Sequence, residues 1–306
     1  MSEKPFSQHV QSNPHERVEY VRYTEAHKRA EIVKEKRMKG RELKDFIGGP
    51  FYTEAAISDA ENTVQRIKEG FEDKERFLDE EQKERLHRSH MMASCLEGIC
   101  LYTKSWFGPT TKTYPTTDWD DYTNGVDLIA ERTQGDAVNH NGFALDVTFG
   151  GPKTVLKKVQ SVANKIMNGK LGKVDFFKSD DGKFKGQLNN IPLVVIGASG
   201  NTMKGLINHF ANPEEDIYLS EHPFQFQIIE DIIMQCDFFC EIAQQCVDVE
   251  KKELIVTTYT KLKQDFEKIL QLKAKLSPQI DRNFRDAFHE NLLEAMREIH
   301  ELNKTL

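Results

Sequence analysis

Two short stretches decide the predicted fold, GVDLI at residues 125–129 and FALDVTF at residues 143–149. Both are rich in β-branched and aromatic residues, and turn-forming residues separate them, which predicts two neighbouring strands. Each stretch carries one acid among apolar neighbours, Asp127 in the first and Asp146 in the second. A carboxylate inside an apolar strand costs free energy unless it is paired or binds a cation. The two stretches therefore predict a cation site shared by adjacent strands.

The residues around these strands predict a mixed helix and strand segment. Gly108 and Pro109 end a preceding helix, and an unbroken apolar run at 191–196 predicts a fully buried strand. The fold class predicted is α/β (α+β) with a small mixed sheet. Besides the two stretches, elements are predicted as strands over 110–117, 174–177 and 191–196 and as helices over 154–168 and 202–210.

Eight positions are predicted to be buried in one sheet, with Asp127 and Asp146 facing a shared cleft. Their common feature is an apolar side chain in a predicted strand. The eight are Val126, Leu128, Ala144, Val147, Phe149, Val194, Val195 and Ile196.

Helices are predicted on both sides of this segment. Charged residues dominate over 14–46, which predicts a long exposed helix, and two more helices are predicted over 53–70 and 79–107. Apolar residues recur at helical spacing over 222–246 and beyond. The predicted organisation is an N-terminal helical region at 1–106, whose last helix belongs to the core, an α/β core at 107–212 and a C-terminal helical region at 213–306.

The charge distribution is more informative than the net charge of −7, which argues against a protein that coats nucleic acid in bulk. Residues 111–150 hold seven acids and two bases, whereas residues 151–190 hold nine lysines and three aspartates. An acidic pocket beside a basic strip suits a metal site that acts on a phosphate chain. The alternative is that the lysines form only a solvated helix face.

Three features of the sequence indicate in which cellular compartment the protein is located. The five cysteines include no CxxC pair, which predicts buried free thiols. No apolar run is long enough to span a membrane, and residues 1–14 lack the apolar stretch of a signal peptide. We therefore expect a cytoplasmic protein that does not bind membranes.

The order of helix, three strands, helix and strand, with an acid in each of two strands, resembles the PD-(D/E)xK, or restriction-endonuclease-like, nuclease superfamily. The resemblance covers about residues 97–200 and implies an αβββαβ core. It further implies that Asp127, Asp146 and Glu97, the last from the helix before the strands, bind Mg²⁺ or Mn²⁺. Similar motifs, at 120–121, 124–127 and 146–149, are also found in uncharacterised bacterial proteins, and that similarity implies no activity.

The chain departs from the superfamily pattern at one position. The superfamily places a lysine two residues after the second acid, and here that position holds Thr148. A lysine from the next helix can replace it, and we expect Lys157 to do so. Lys157 and Lys158 lie on different faces of that helix, so at most one should reach the site. Nucleic acid is expected to bind along Lys153, Lys157, Lys158 and Lys165.

Two classes of function follow from the sequence. The first is a metal-dependent nuclease, or a nuclease-fold protein that binds DNA or RNA without cutting it. The second is a catalytically inactive, nuclease-like interaction protein, in which the acidic helix 222–246 and an antiparallel hairpin formed by the last two helices bind a protein partner. The hairpin, predicted over 251–276 and from Pro278 onward, could also form a homodimer seam or simply pack on the core.

Three other features have alternative interpretations. The cluster Asp118, Asp120 and Asp121 is typical of a turn, although Asp121 could be a further metal ligand. The strand-to-helix turn at 197–202 could bind a phosphate, but a tight turn is favoured. His87 and His90 lie three residues apart on a helix without a third zinc ligand, which favours surface histidines.

Overall fold

A computed structural model describes residues 14–48, 52–103, 105–134 and 137–304. Three helices precede the sheet: α1 (Pro14–Met38), α2 (Glu54–Arg76) and α3 (Glu80–Tyr102). The N-terminus of α3 is capped by Asp79, which accepts a hydrogen bond from the Gln82 amide at 2.7 Å. The first predicted helix is shorter than expected, because α1 ends at Met38 and a separate 3₁₀ turn covers Leu43–Phe46.

Six strands form two sheets: β1 (Thr111–Pro115), β2 (Leu128–Gln134), β3 (Ala137–Thr148), β4 (Gly172–Lys178), β5 (Lys185–Ile191) and β6 (Leu193–Gly197). The larger sheet has the order β1-β2-β3-β6, in which β3 and β6 are parallel and the other neighbours are antiparallel. Helix α4 (Pro152–Met167) follows β3. The predicted strand at 174–177 lies in β4, which pairs with β5 in a separate two-stranded sheet.

The prediction of a small mixed sheet flanked by helices is confirmed. Seven of the eight positions predicted to be buried expose at most 3% of their surface. Phe149 is half-buried, because it lies just beyond the end of β3. One hydrophobic cluster contains residues from all three predicted regions, from Tyr23 to Ile299. The predicted boundaries near 107 and 213 therefore divide elements that share one core.

Five helices complete the chain: α5 (Gly200–Ala211), α6 (Asp216–Ser220), α7 (Phe224–Ile242), α8 (Val249–Leu276) and α9 (Ala287–Lys304). Helix α8 packs against α7, whereas α9 packs mainly against α4. The predicted hairpin of the last two helices is therefore wrong. The last helix, α9, begins at Ala287, and the Asp286 carboxylate caps it by accepting hydrogen bonds from the amides of Phe288 and His289 at 2.9 and 3.3 Å.

Side chains of the C-terminal helices form hydrogen bonds with the backbone at the unpaired edge of β6. Gln235 on α7 accepts a hydrogen bond from the Val195 amide and donates one to the Val195 carbonyl, both at 2.8 Å. The Tyr259 hydroxyl on α8 donates to the Leu193 carbonyl at 2.9 Å. These contacts occupy backbone groups that would otherwise be unpaired at a buried sheet edge.

Helix α1 packs closely against α3, and this contact determines where Lys34 of α1 lies. Gly98 on α3 faces Ala30 on α1, and a Cβ atom added at Gly98 would lie 2.5 Å from the Ala30 Cβ. Small residues on both helices are therefore required for this contact. Four residues after Ala30, Lys34 lies one turn further along the same face of α1. In the described ranges, no helix is long and apolar enough to cross a membrane.

Candidate functional site

The two strand acids meet on one side of the four-stranded sheet. Asp127 immediately precedes β2, and its amide donates to the Leu145 carbonyl of β3 at 3.0 Å. Its carboxylate accepts a hydrogen bond from the Val147 amide at 2.5 Å. The carboxyl groups of Asp127 and Asp146 lie within hydrogen-bonding reach of each other. The two carboxyl groups therefore lie next to each other on the same side of the sheet.

Two further acids surround this pair. Asp121 lies in a π-helical turn, Asp120–Asn124, and its carboxyl group also reaches that of Asp127. Glu97 comes from α3 and interacts electrostatically with Asp121. The sequence predicts Asp121 as a turn residue and offers metal binding only as an alternative. The structure thus brings together four carboxyl groups, from α3, the π-helical turn, the residue before β2 and strand β3.

Burial and mutual repulsion both hinder ionisation of these acids. Burial raises the pKa of Asp127 well above its usual value, and the carboxylates of Asp146, Asp121 and Glu97 raise that pKa further. Burial also raises the pKa of Asp146, although Lys158 opposes the shift. A shared proton or a cation between neighbouring carboxyl groups relieves this repulsion.

Lys158 is the lysine that reaches the strand acids. Its ammonium group contacts the Asp146 carboxylate and donates to the Val147 carbonyl at 3.1 Å. Lys157, the lysine expected at this position from the sequence, is on the exposed face of α4. Adjacent residues on a helix point about 100° apart, so only one of the two can face the sheet. The buried residues Val155 and Val159 determine which face that is.

Helix α1 supplies a second cation, Lys34. Its ammonium group is 2.9 Å from a carboxylate oxygen of Glu97. Burial disfavours the charged form of Lys34, but the attraction of Glu97 outweighs burial and raises the pKa of Lys34. Burial of Glu97 in turn raises its pKa, and Lys34 opposes that shift. Sequence reasoning missed Lys34, because nothing within α1 distinguishes it from the other charged residues of the helix.

The remaining predicted site residues divide between the cleft and the surface. Thr148 is buried and shares a strand face with Asp146. Lys165 donates to the Asn124 carbonyl at 2.7 Å, and burial lowers its pKa, although Asp146 lies close enough to oppose that shift. Lys153 is exposed, like Lys157. Of the four lysines expected to bind nucleic acid, Lys158 and Lys165 thus lie near Asp146, whereas Lys153 and Lys157 are exposed.

The neighbouring Asp120 has a structural environment. Its carboxylate accepts hydrogen bonds from the amides of Asp175 and Phe176 at 2.6 and 3.1 Å and from the Asn124 side chain at 2.7 Å. These bonds connect the π-helical turn to β4. Asp118 is exposed and pairs with Lys68. Contacts with β4 and with α2 therefore account for Asp120 and Asp118, two of the three clustered aspartates.

The turn at 197–202 is filled by protein groups. The Ser199 amide donates to the Asp286 carboxylate at 2.7 Å, and the Ser199 hydroxyl caps the amide of Thr202. A carboxylate thus occupies the place where a phosphate would accept hydrogen bonds. Phe288 packs against Gly197, where an added Cβ would lie 2.3 Å from its ring. This geometry favours the tight-turn interpretation.

The site combines four acids, Glu97, Asp121, Asp127 and Asp146, two of which are in contact with lysines. We call this mostly buried cluster the recess. Across the ranges that the structure describes, no three His, Cys, Asp or Glu side chains already stand as a complete set of metal ligands. The carboxylate oxygen atoms of the four acids are nevertheless the ligand type that hard divalent cations prefer. His87 and His90, considered as zinc ligands, are both exposed. The chain matches no protein-family model, no curated protein and no solved structure.

Proposed function

We propose that this chain is a Mg²⁺- or Mn²⁺-dependent nuclease that hydrolyses phosphodiester bonds. The observation that carries the proposal is the contact of Lys158 with Asp146, beside Asp127 at the start of the neighbouring strand. Two acids and a lysine in one recess are the groups that a PD-(D/E)xK site requires. Here the lysine comes from α4 and compensates for Thr148.

The topology supports the same proposal. Helix α3, the strands β1, β2 and β3, helix α4 and strand β6 follow one another in the order that the resemblance implies, with the β4–β5 hairpin inserted before the last strand. The sheet order β1-β2-β3-β6 is compatible with such a core. Fold alone does not establish activity, which depends on the side chains at the site.

The carboxyl groups fit a divalent cation. Asp127 and Asp146 would hold it, with Glu97 and Asp121 close enough to contribute, because each is an oxygen ligand and their mutual repulsion disfavours the metal-free site. A bound Mg²⁺ or Mn²⁺ lowers the pKa of a coordinated water and neutralises charge on the phosphate.

The protein's own residues have separate roles in this proposal. Lys158 offers an ammonium group to the negative charge that develops on the phosphate oxygens. Its hydrogen bond to the Val147 carbonyl keeps that group beside the acids. Lys34 contacts Glu97, so it orients that carboxylate and attracts the phosphate chain. Lys153 and Lys157 would contact the backbone of nucleic acid outside the recess.

The second candidate is a catalytically inactive interaction protein. It is favoured by the internal neutralisation of the acids, since Lys158 pairs with Asp146 and Lys34 pairs with Glu97. Apolar side chains are also exposed near the C-terminal end of α8, where Leu272 and Leu276 leave 41% and 71% of their surface accessible. Such residues could contact a protein partner or a second copy.

A cleavage assay separates the two candidates. Labelled single- and double-stranded DNA and RNA are incubated with Mg²⁺ or Mn²⁺ and the wild type, Asp146→Ala or Asp118→Ala. Asp118 is the matched control, because it is a nearby acid that is more than half exposed. The nuclease proposal expects cleavage by wild type and Asp118→Ala and none by Asp146→Ala. Equal cleavage by all three proteins, or by none, contradicts it.

A further inference from the structure

An aromatic pair lies at the edge of the acidic recess. Phe71 on α2 exposes 54% of its surface and Tyr122 exposes 36%. The two rings meet edge to face, with centroids 5.9 Å apart. Tyr122 follows Asp121 in the π-helical turn, so the same turn places a carboxyl group inside the recess and an aromatic ring at its rim. Exposed rings beside a polar site offer a stacking surface.

Cations lie on the same side of α2 as this pair. The Lys74 ammonium group is 5.8 Å from the centroid of the Phe71 ring. Lys68 pairs with Asp118 at 2.6 Å. Both lysines are three residues from Phe71, so all three share one face of the helix. Aromatic rings interleaved with lysines are the combination that binds a nucleic-acid strand through its bases and its phosphates.

The acids themselves are recessed. The side chains of Glu97 and Asp146 expose 12% and 13% of their surface, whereas those of Lys34 and Lys158 expose 38% and 30%. A stiff duplex keeps its bases stacked internally, and offering one to a protein ring costs the free energy of unstacking and unpairing it. A single strand can bend a phosphate into the recess while an adjacent base leaves the stack.

We propose that the substrate is single-stranded nucleic acid, and that bases next to the scissile phosphate stack on Phe71 and Tyr122. This inference rests on the proposed nuclease function and adds the substrate class and its binding surface. Because every base has a π face, the surface accepts different sequences. DNA and RNA share this chemistry.

The test compares stacking with simple packing. The contact of Phe71 with Tyr122 could serve only to hold α2 against the turn, and leucine preserves apolar packing while removing the π face. Phe71→Leu and Tyr122→Leu are therefore compared with Phe71→Trp, which retains an aromatic face. Phe77→Leu is the matched control, because Phe77 is the C-cap of α2 and exposes 89% of its surface.

Binding is measured with fluorescently labelled single-stranded oligonucleotides and matched duplexes in EDTA, so that no cleavage occurs. Wild type should bind the single strand more tightly than the duplex. Phe71→Leu and Tyr122→Leu should each weaken single-strand binding by about 5- to 150-fold without changing its salt dependence, because no charge is lost. Phe71→Trp and Phe77→Leu should bind like the wild type.

Different outcomes overturn different conclusions. If the duplex binds as tightly as the single strand, or if both leucine variants bind like Phe77→Leu, the stacking surface is refuted while cleavage by the wild type still supports the nuclease. If Phe71→Trp is as weak as Phe71→Leu, the ring acts by packing and the inference is also refuted. If the wild type neither binds nor cleaves any of the nucleic acids, the proposed function and this inference both fail.

Discussion

The ammonium group of Lys158 and the carboxylate of Asp146 form an ion pair at the centre of the recess. The lysine follows the acid by twelve residues and belongs to a different element, so helix α4 must lie in one position for the pair to form. The pair neutralises one of two neighbouring acids. The carboxyl group of Asp127, the other acid, accepts a hydrogen bond from the Val147 amide. A shared proton or a cation relieves its repulsion from the neighbouring carboxylates.

Asp127→Asn should stabilise the metal-free protein at neutral pH. Because the pKa of Asp127 is raised in the fold, its ionisation lowers stability as pH rises from the usual carboxyl range through the raised pKa. Asparagine removes this loss and can still accept the Val147 hydrogen bond. We expect a gain of about 1 kcal/mol that shrinks as pH falls, measured by urea unfolding at several pH values. Asp118→Asn should show no such gain, and a destabilised Asp127→Asn at every pH would mean a structural role.

Lys158→Ala should strongly reduce cleavage, while Lys157→Ala should retain it. Loss of the ammonium group that faces the phosphate should reduce the cleavage rate by about 10²- to 10³-fold. Lys157 is exposed on the same helix, so its replacement should weaken nucleic-acid binding and reduce the salt dependence by about one unit of slope. Rates and salt titrations of the two variants provide the measurement. The opposite ranking would restore Lys157 as the catalytic lysine.

Divalent cations should raise the thermal midpoint of the wild type. A ligand that binds only the folded state stabilises it by about 2.7 kcal/mol at a hundred times its Kd, which is a shift of several degrees for a chain of this size. Lys158→Ala should shift more than the wild type, because no ammonium group then competes for Asp146. Asp146→Asn should lose most of the response. An unchanged wild-type midpoint in millimolar Mn²⁺ would contradict the metal site.

Gly98→Ala should destabilise the protein, whereas Gly70→Ala should not. An added Cβ at Gly98 would collide with Ala30 and force α1 away from α3, at a cost of about 1–3 kcal/mol. At Gly70, within α2, an added Cβ meets no atom within 4 Å, and alanine should gain about 0.5–1 kcal/mol. Chemical denaturation measures both. Because α1 carries Lys34, Gly98→Ala should also weaken cleavage.

His289→Gln should remove part of the stability present at low pH. The His289 ring lies 2.6 Å from the buried carboxylate of Asp231, and this hydrogen bond raises the pKa of His289. A raised histidine pKa gives stability that is complete below the usual histidine pKa and is lost as pH rises through the raised one. Unfolding at several pH values should show a loss of about 3 kcal/mol for His289→Gln that becomes smaller at high pH. His300→Gln, a half-exposed histidine, should change little.

Much of the fold could be predicted from local patterns. The strands around Asp127 and Asp146 and the capped start of α3 follow from short-range rules, because alternation, turns and caps depend on nearby residues. The hairpin of the last two helices could not be predicted correctly. Its two apolar stripes are real, but α8 and α9 bury them against different helices, and periodicity does not identify the partner of a stripe.

The sequence by itself determined that Asp127 and Asp146 would lie at neighbouring strands, because each interrupts an apolar run whose neighbours must be buried. It also determined that Lys157 and Lys158 would diverge, since helix geometry separates adjacent side chains. Only the tertiary structure decided that Lys158 faces the acids and that Lys34 joins them. Those pairings depend on the rotation of α4 and on the close approach of α1 at Gly98, which are fixed by packing between segments distant in the sequence.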